Sequence, residues 1–393
     1  MRDASSFARL TLAALLLGLV AIGCGSGDDQ PLASFELLQS NLGPFAPRAM
    51  SADGASLVGE IEILDGPVLL WRRPSGFAAL ADGPGEALTY AADISGDGRV
   101  VVGTQHLAGR YERALRWTAS GGGVPLSGVD ASTPGSWAAG VSRDGVVVVG
   151  HLGGEAVIWN GSAPPRPLGS LVEGGDTLPV AVSANGRAVA GTATTDPGWR
   201  AFRWAAETGM VDLGDVPGGS RNIFARAISG DGRTICGRAW LSPDQAASAR
   251  TSYACFVPTT PFCWTDETGM VLMPEVPYDP PPDPPQCDAV AIFTGVAGID
   301  HDGWLVVGYV GDGRDGDVAV LWDADGVHVI AELLAEAGVD LDGWRLLRAH
   351  TVSADGQTIA GVAVRPDGEH AGWIAVVPRS PGTRGRSAVV VRD

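Results

Sequence analysis

The stretch AISGDGRTICG, residues 227–237, holds the unit that decides the fold. Ser229 opens the pattern S-x-D-G, and Gly237 closes the following apolar run eight residues later. The unit recurs from Ser51, Ser95, Ser142, Ser183, Asp300 and Ser353, with closing glycines Gly59, Gly103, Gly150, Gly191, Gly308 and Gly361. A constant internal offset at spacings of 41 to 71 residues marks a repeat protein whose insertions fall in loops between constant cores.

Each unit reads as four short strands. A small or β-branched pair such as Gly140-Val141 or Ala227-Ile228 precedes the serine. Asp-Gly then predicts a two-residue type I′ hairpin, because that turn needs positive φ. The second strand is a run such as Val147-Val148-Val149, and the third ends at Trp71, Trp117, Trp159, Trp204, Trp264 or Trp322, with Ile374 expected in that slot in the last unit. A fourth follows a glycine-bearing turn, as in Met210-Val211-Asp212-Leu213. Seven such units predict an all-β chain, a seven-bladed β-propeller. The last unit stops after its third strand, so the N-terminal segment Ser34-Phe35-Glu36-Leu37-Leu38 is expected to complete the last blade and remove an exposed edge.

Residues 209–237, GMVDLGDVPGGSRNIFARAISGDGRTICG, resemble the bacterial extracellular HAF repeats, and Ala371-Gly372-Trp373-Ile374-Ala375-Val376-Val377-Pro378 is similar to the end of many members. The likeness spans residues 34 to 378. The His-Ala-Phe triplet that names the family survives only as Arg200-Ala201-Phe202 and His370-Ala371-Gly372, and Asp300 replaces a serine. The resemblance implies secretion and a propeller-like fold, and brings no activity with it.

Residues 1–23 read as a signal peptide: Arg2 and Arg9 precede the apolar stretch Leu10 to Ile22, which is too short to span a bilayer. Ala21-Ile22-Gly23-Cys24 resembles the lipobox of bacterial lipoproteins, which makes Cys24 the lipidation site; the alternative is an ordinary cleavable signal with an incidental cysteine. Residues 24–33 would then be a lipidated tether, 34–378 the propeller and 379–393 a tail. This places the protein in the bacterial cell envelope or outside the cell, touching the membrane through the lipid alone. Cys236, Cys255, Cys263 and Cys287 fall in the fifth unit and its insert, without the paired spacing of a zinc site. An even count in an oxidising compartment predicts disulfides. Three connectivities are open. Cys255 with Cys287 is the preferred pair, and Cys236 with Cys263 would join adjacent strands; the alternative for Cys236 is a buried apolar residue, since it occupies a slot that holds Val or Ala elsewhere.

The chain has 393 residues, 27 basic residues that are all arginine, 45 acidic residues and a net charge of −18. Such a surface repels nucleic acid and anionic lipid, so no nucleic-acid partner is expected. No H-E-x-x-H, G-x-S-x-G or cysteine-nucleophile context occurs, and neither cofactor nor metal is implied. The S-x-D-G aspartates read as turn formers rather than calcium ligands, because Asn185 keeps the turn without the charge; the acids of Asp312 to Asp317 read as a solvated loop in preference to a calcium site. Trp137, Trp199, Trp240 and Trp344 lie outside the strand-three position, in or beside connections, and are the candidate ligand-binding residues. Variable-length connections gather at one end of the repeats, where function is usually displayed. Together these predict a binding or scaffolding module for a protein or polysaccharide outside the cytoplasm. The alternative is a glycan hydrolase or lyase on the same scaffold, with Asp93, Arg226 and His350 on the inner strands as the residues to test.

Overall fold

The structure is a computed structural model, and it describes residues 32–61, 67–80, 87–107, 111–118, 121–130, 135–196, 198–241, 259–274, 293–311 and 316–377. The signal segment, Cys24, Cys255, Cys287 and the acids Asp312 and Asp315 lie outside the described residues. Five antiparallel sheets have four strands each, and a sixth has eight. The first strands of the seven repeats are Gly43–Met50, Ala87–Ile94, Ser136–Val141, Thr177–Val182, Ser220–Ile228, Phe293–Ile299 and Arg345–Val352.

The S-x-D-G turn is held by its own side chains. Ser142 Oγ donates to Asp144 Oδ1 at 2.6 Å, the same oxygen accepts the Val146 N–H at 3.0 Å, and Ser142 Oγ accepts the Val147 N–H at 2.9 Å. The same three bonds form at Ser51, Ser95, Ser229 and Ser353, and Asn185 reproduces them beside Ser183. At the sixth repeat the carboxylate of Asp300 accepts both backbone donors, Trp304 N–H at 2.8 Å and Leu305 N–H at 3.2 Å, which is why the serine is dispensable there. The turn is not the expected type I′. Among the described residues the only non-glycine with positive φ is Asp342, so the motif aspartates stay in ordinary backbone and only the glycine, such as Gly145 at φ 72°, turns left-handed. The loop is longer, with Ser142 N–H bonded to Val147 O, and the aspartate is present as an acceptor rather than for its tolerance of positive φ.

The closing glycine has a separate cause. Every first strand carries a β-bulge three residues before the motif, as between Ala138 and Gly140. The bulge drives the carbonyl of the residue before it against the second strand. A Cβ on Gly150 would sit 2.0 Å from Trp137 O, and the equivalents are 2.1 Å at Gly59, 2.0 Å at Gly103 and Gly237, 2.4 Å at Gly191, 1.9 Å at Gly308 and 1.8 Å at Gly361. No side chain fits.

Strand-three tryptophans pack between sheets: Trp117, Trp159 and Trp322 are at most 1% exposed. They pair across from the sixth residue after the motif serine, as Trp159 does with Val148. In the last repeat that register places Ala375 opposite Ile359, so the slot belongs to Ala375 and not to Ile374. Trp373, two residues earlier on the same face, is fully buried there and donates Nε1–H to Val362 O at 3.0 Å. Core clusters accordingly mix residues of neighbouring repeats, such as Val102 and Ala114 with Val141 and Trp159.

The N-terminal strand Ser34–Ser40 pairs antiparallel with His370–Val376, from Ser34 opposite Val376 to Leu38 opposite Gly372. It then meets Gly43–Met50 through Gln39 and Ser40, which joins two four-stranded groups into the eight-stranded sheet. Backbone bonds link the motif turns from repeat to repeat: Ala52 N–H to Gly96 O, Arg143 to Ala184, Ala184 to Gly230, Asp231 to His301, His301 to Ala354, and finally Ala354 N–H back to Ala52 O at 2.9 Å. A short helix, Ile330–Glu336, unanticipated in the sequence, buries Ile330 and Leu334 after the sixth repeat. Cys236 and Cys263 face each other on adjacent strands and form a disulfide, both fully buried. Cys236 is thus a bridging residue and not merely an apolar one.

Candidate functional site

The residues flanking the motif serines converge. Those one before and one after each serine, from Met50 and Ala52 round to Val352 and Ala354, line a single cavity of about 150 Å³. Its walls are mostly small and apolar, with Asp93, Asp300, Arg143 and His301 as the polar members. Asp93 replaces the small residue of the other repeats. Its Oδ1 accepts the Ile94 N–H and its Oδ2 the Val141 N–H, each at 2.8 Å, so the carboxylate ties two neighbouring first strands together. Burial outweighs those two donors and pushes its pKa up to about 6. The turn aspartates behave oppositely: the Ser51 hydroxyl and the Ala55 N–H hold Asp53 below the usual carboxylate value, and Asp97 and Asp144 follow it. One oxygen of each, Oδ1, is committed to the turn, and no group of three or more metal-ligating side chains occurs among the described residues.

Further along the first strands, away from the turns, a second environment opens. Side chains three and five residues before the motif alternate with a buried row represented by Ala138 and Ala225, so they project from the opposite face. Arg48, Arg226 and His350 share the bulge position; Tyr90, Trp137, Phe224 and Arg348 share the next. The second strand adds the residue after the closing glycine, which pairs directly with this last row: Glu60, His151, Arg238 and Tyr309. One arc is aromatic. Trp137 stacks on His151 at 5.5 Å between ring centres, and Tyr90 meets His106 edge-on at 5.0 Å. The other arc is cationic. Arg238 lies over Phe224 at 5.8 Å, Arg348 lies over Tyr309 at 4.7 Å and pairs with buried Asp317, and Arg48 pairs with Glu60 at 3.3 Å. Asp317, read in the sequence as part of a solvated acidic loop, is 3% exposed. Burial, with Arg238 nearby, lowers the Arg226 pKa. His350 bonds through Nδ1 to Pro47 O at 2.7 Å, and burial together with Arg48 and Arg348 drives its pKa down to about 4.

Asp93, Arg226 and His350 therefore do not form one constellation. Asp93 belongs to the cavity at the turn end, which neither Arg226 nor His350 lines, and both its oxygens are occupied. Of the candidate tryptophans, Trp199 and Trp240 flank Phe224 at 6.3 and 5.7 Å, with Trp240 37% exposed, and Trp137 stands in the aromatic arc. Trp344 differs. It is 3% exposed, packed with Ile330, Leu334 and Trp373, and covered by Arg365 at 5.0 Å. Arg48, Arg238 and Arg348 were not singled out in the sequence; Arg48 stands at the same offset from its motif as Arg226 and His350, a signal that was there to read.

Solved structures with this arrangement are β-propellers at low identity. U3-55K superposes with a TM-score of 0.53 at 12% identity, covering 87% of this chain and 98% of its own. The β-propeller domain of the Trilobed protease from Pyrococcus furiosus gives 0.51 at 8%, over 85% and 95%. Oligogalacturonate lyase in complex with manganese gives 0.51 at 12%, over 88% and 97%. The scaffold is a β-propeller. At these identities the likeness carries the fold alone. No protein-family model matches the sequence, and no curated protein aligns with it.

Proposed function

We propose that the chain is a seven-bladed β-propeller held in the cell envelope by a lipid on Cys24, and that it binds a polysaccharide or protein through the end of the repeats that carries the variable connections. Seven-fold closure is supported by the backbone bond that returns from Ala354 to Ala52 and by the N-terminal strand on His370–Val376. Envelope location is supported by the buried Cys236–Cys263 disulfide, which suits an oxidising compartment, and by the resemblance to extracellular HAF repeats. The strand ends Leu241, Thr259, Leu272 and Phe293, which flank the longest sequence inserts, lie at the end remote from the motif turns.

The observation that carries the binding reading is the concentration of Trp137, Trp199, Trp240 and Phe224 at that end, on strands rather than floppy loops. Rigid aromatic rings on a preformed wall give stacking area at small entropic cost. The test is a glycan array together with a pull-down from envelope extract, using the chain from residue 25 onward. Ligands lost from the Trp137→Ala and Trp240→Ala variants support the reading, and an empty array with an empty pull-down refutes it. Cys24→Ala in cells should abolish detergent-phase partitioning; continued partitioning would remove the anchor.

A further inference from the structure

Two guanidinium groups in the cationic arc lack a carboxylate beside them. Among the described residues Arg226 and Arg238 have no carboxylate partner, although the chain carries a net charge of −18. Arg238 Nε is buried and has no hydrogen-bond acceptor among the described residues. A buried donor left without an acceptor is destabilising, and more so when it is charged. Arg226 keeps part of its surface exposed, yet desolvation by the surrounding wall, with the neighbouring Arg238 charge second, lowers its pKa. Arg348 and Arg48 extend the same arc through Tyr309 and His350, but Asp317 and Glu60 already neutralise them. Within this arc the uncompensated charge thus falls in the fifth repeat, beside the rings of Phe224 and Trp240.

We propose that Arg226 and Arg238, flanked by Phe224 and Trp240, form a binding site for a carboxylate-bearing saccharide. A guanidinium presents a planar fork that matches a carboxylate with two parallel hydrogen bonds, and it is more weakly hydrated than an ammonium group, so it is suited to a partly enclosed wall. The acid group satisfies the unpaired donors while the C–H face of the sugar ring lies on the aromatic surface. This rests on the reading of the connection-bearing end as a binding surface and names the ligand class within it.

Calorimetric titration of the mature chain with alginate hexasaccharide, cellohexaose and inorganic phosphate at low ionic strength tests the site. The acidic hexamer should bind, and Arg226→Gln and Arg238→Gln should each weaken it at least tenfold with an unchanged melting temperature. Arg99→Gln, an exposed arginine at the turn end, should leave binding intact. Should Arg238→Gln prove unstable, Arg226→Gln alone decides the matter. Equal binding of cellohexaose, or an unaltered Kd in Arg226→Gln, overturns the acidic-saccharide site while leaving the polysaccharide reading in place. Phosphate that displaces the hexamer at equal concentration reduces the site to a simple anion hole and overturns the saccharide part. If neither saccharide binds, the site is refuted; the broader binding reading falls only if the array and the pull-down are empty as well.

Discussion

Replacing Gly150 by alanine is the most direct perturbation of the repeat. The added Cβ would stand 2.0 Å from Trp137 O, 2.9 Å from Ala138 Cα and 3.0 Å from Trp137 C, where contacts under 3.0 Å essentially never occur. Relief needs about 1 Å of separation between two strands that are hydrogen-bonded on either side of the bulge, and every offending atom is backbone, so no rotamer change can help. Overpacking a core costs about 1 to 3 kcal/mol when side chains can adjust; with backbone on both sides the cost should lie above that range, about 3 to 5 kcal/mol. The control is Gly153→Ala, at φ 60° with open space around the new methyl, which should lose only the left-handed strain of about 1 to 2 kcal/mol. Urea unfolding of the chain from residue 25 onward, with its disulfide intact, reads both. A loss below about 1 kcal/mol for Gly150→Ala, or equal losses for the two variants, would show that the bulge does not dictate the glycine.

Two further outcomes follow from the same geometry. Asp93 has its pKa raised to about 6, so the folded state holds its proton more tightly and the associated stability, about 3 kcal/mol, is present below pH 4 and lost as pH rises through 6. His350, depressed to about 4, contributes in the opposite sense, gaining about 3 kcal/mol between pH 4 and 6.5; the two nearly cancel, so Asp93→Asn should turn a flat stability profile into one that rises with pH, and an unchanged profile would refute the assignment. Trp117→Ala and Trp344→Ala, at 1% and 3% exposure, should each cost about 3 to 5 kcal/mol, whereas Trp240→Ala, at 37%, should cost under about 1 kcal/mol and act on ligand binding; equal losses at all three would remove the distinction between core and surface tryptophans.

How far the sequence could be read depended on how local each interaction is. The turn was legible because Ser142, Asp144 and Val147 complete it within six residues, and even there the reason for the aspartate was misjudged: it is an acceptor, and the backbone conformation expected of it belongs to the glycine alone. The closing glycines were legible as a pattern without a cause, since the carbonyl that excludes a side chain at Gly150 comes from Trp137 on the partner strand, and a bulge leaves no compositional trace. Ile374 was assigned the tryptophan slot by counting residues, and the register of one further residue places Ala375 there.

The site was legible only where one strand held it. Arg226 and His350 were found because they stand on first strands at a countable distance from the motif, and the same count reaches Arg48. Arg238 required knowing that the residue after Gly237 pairs with Phe224, which places a second guanidinium beside Arg226. Trp344 was read as a connection residue, which it is, but the turn of helix from Ile330 to Glu336 folds that connection into the core with Ile330 and Leu334 against it. Position in a connection therefore does not establish exposure in this fold, whereas position on a first strand, counted back from the motif, establishes which face a side chain takes. That asymmetry favours Arg226 and Arg238 over Trp344 as the residues on which a ligand would depend: their placement is dictated by the bulge and the pairing register, and the buried Arg238 Nε is left without an acceptor among the described residues, which a ligand carboxylate would supply.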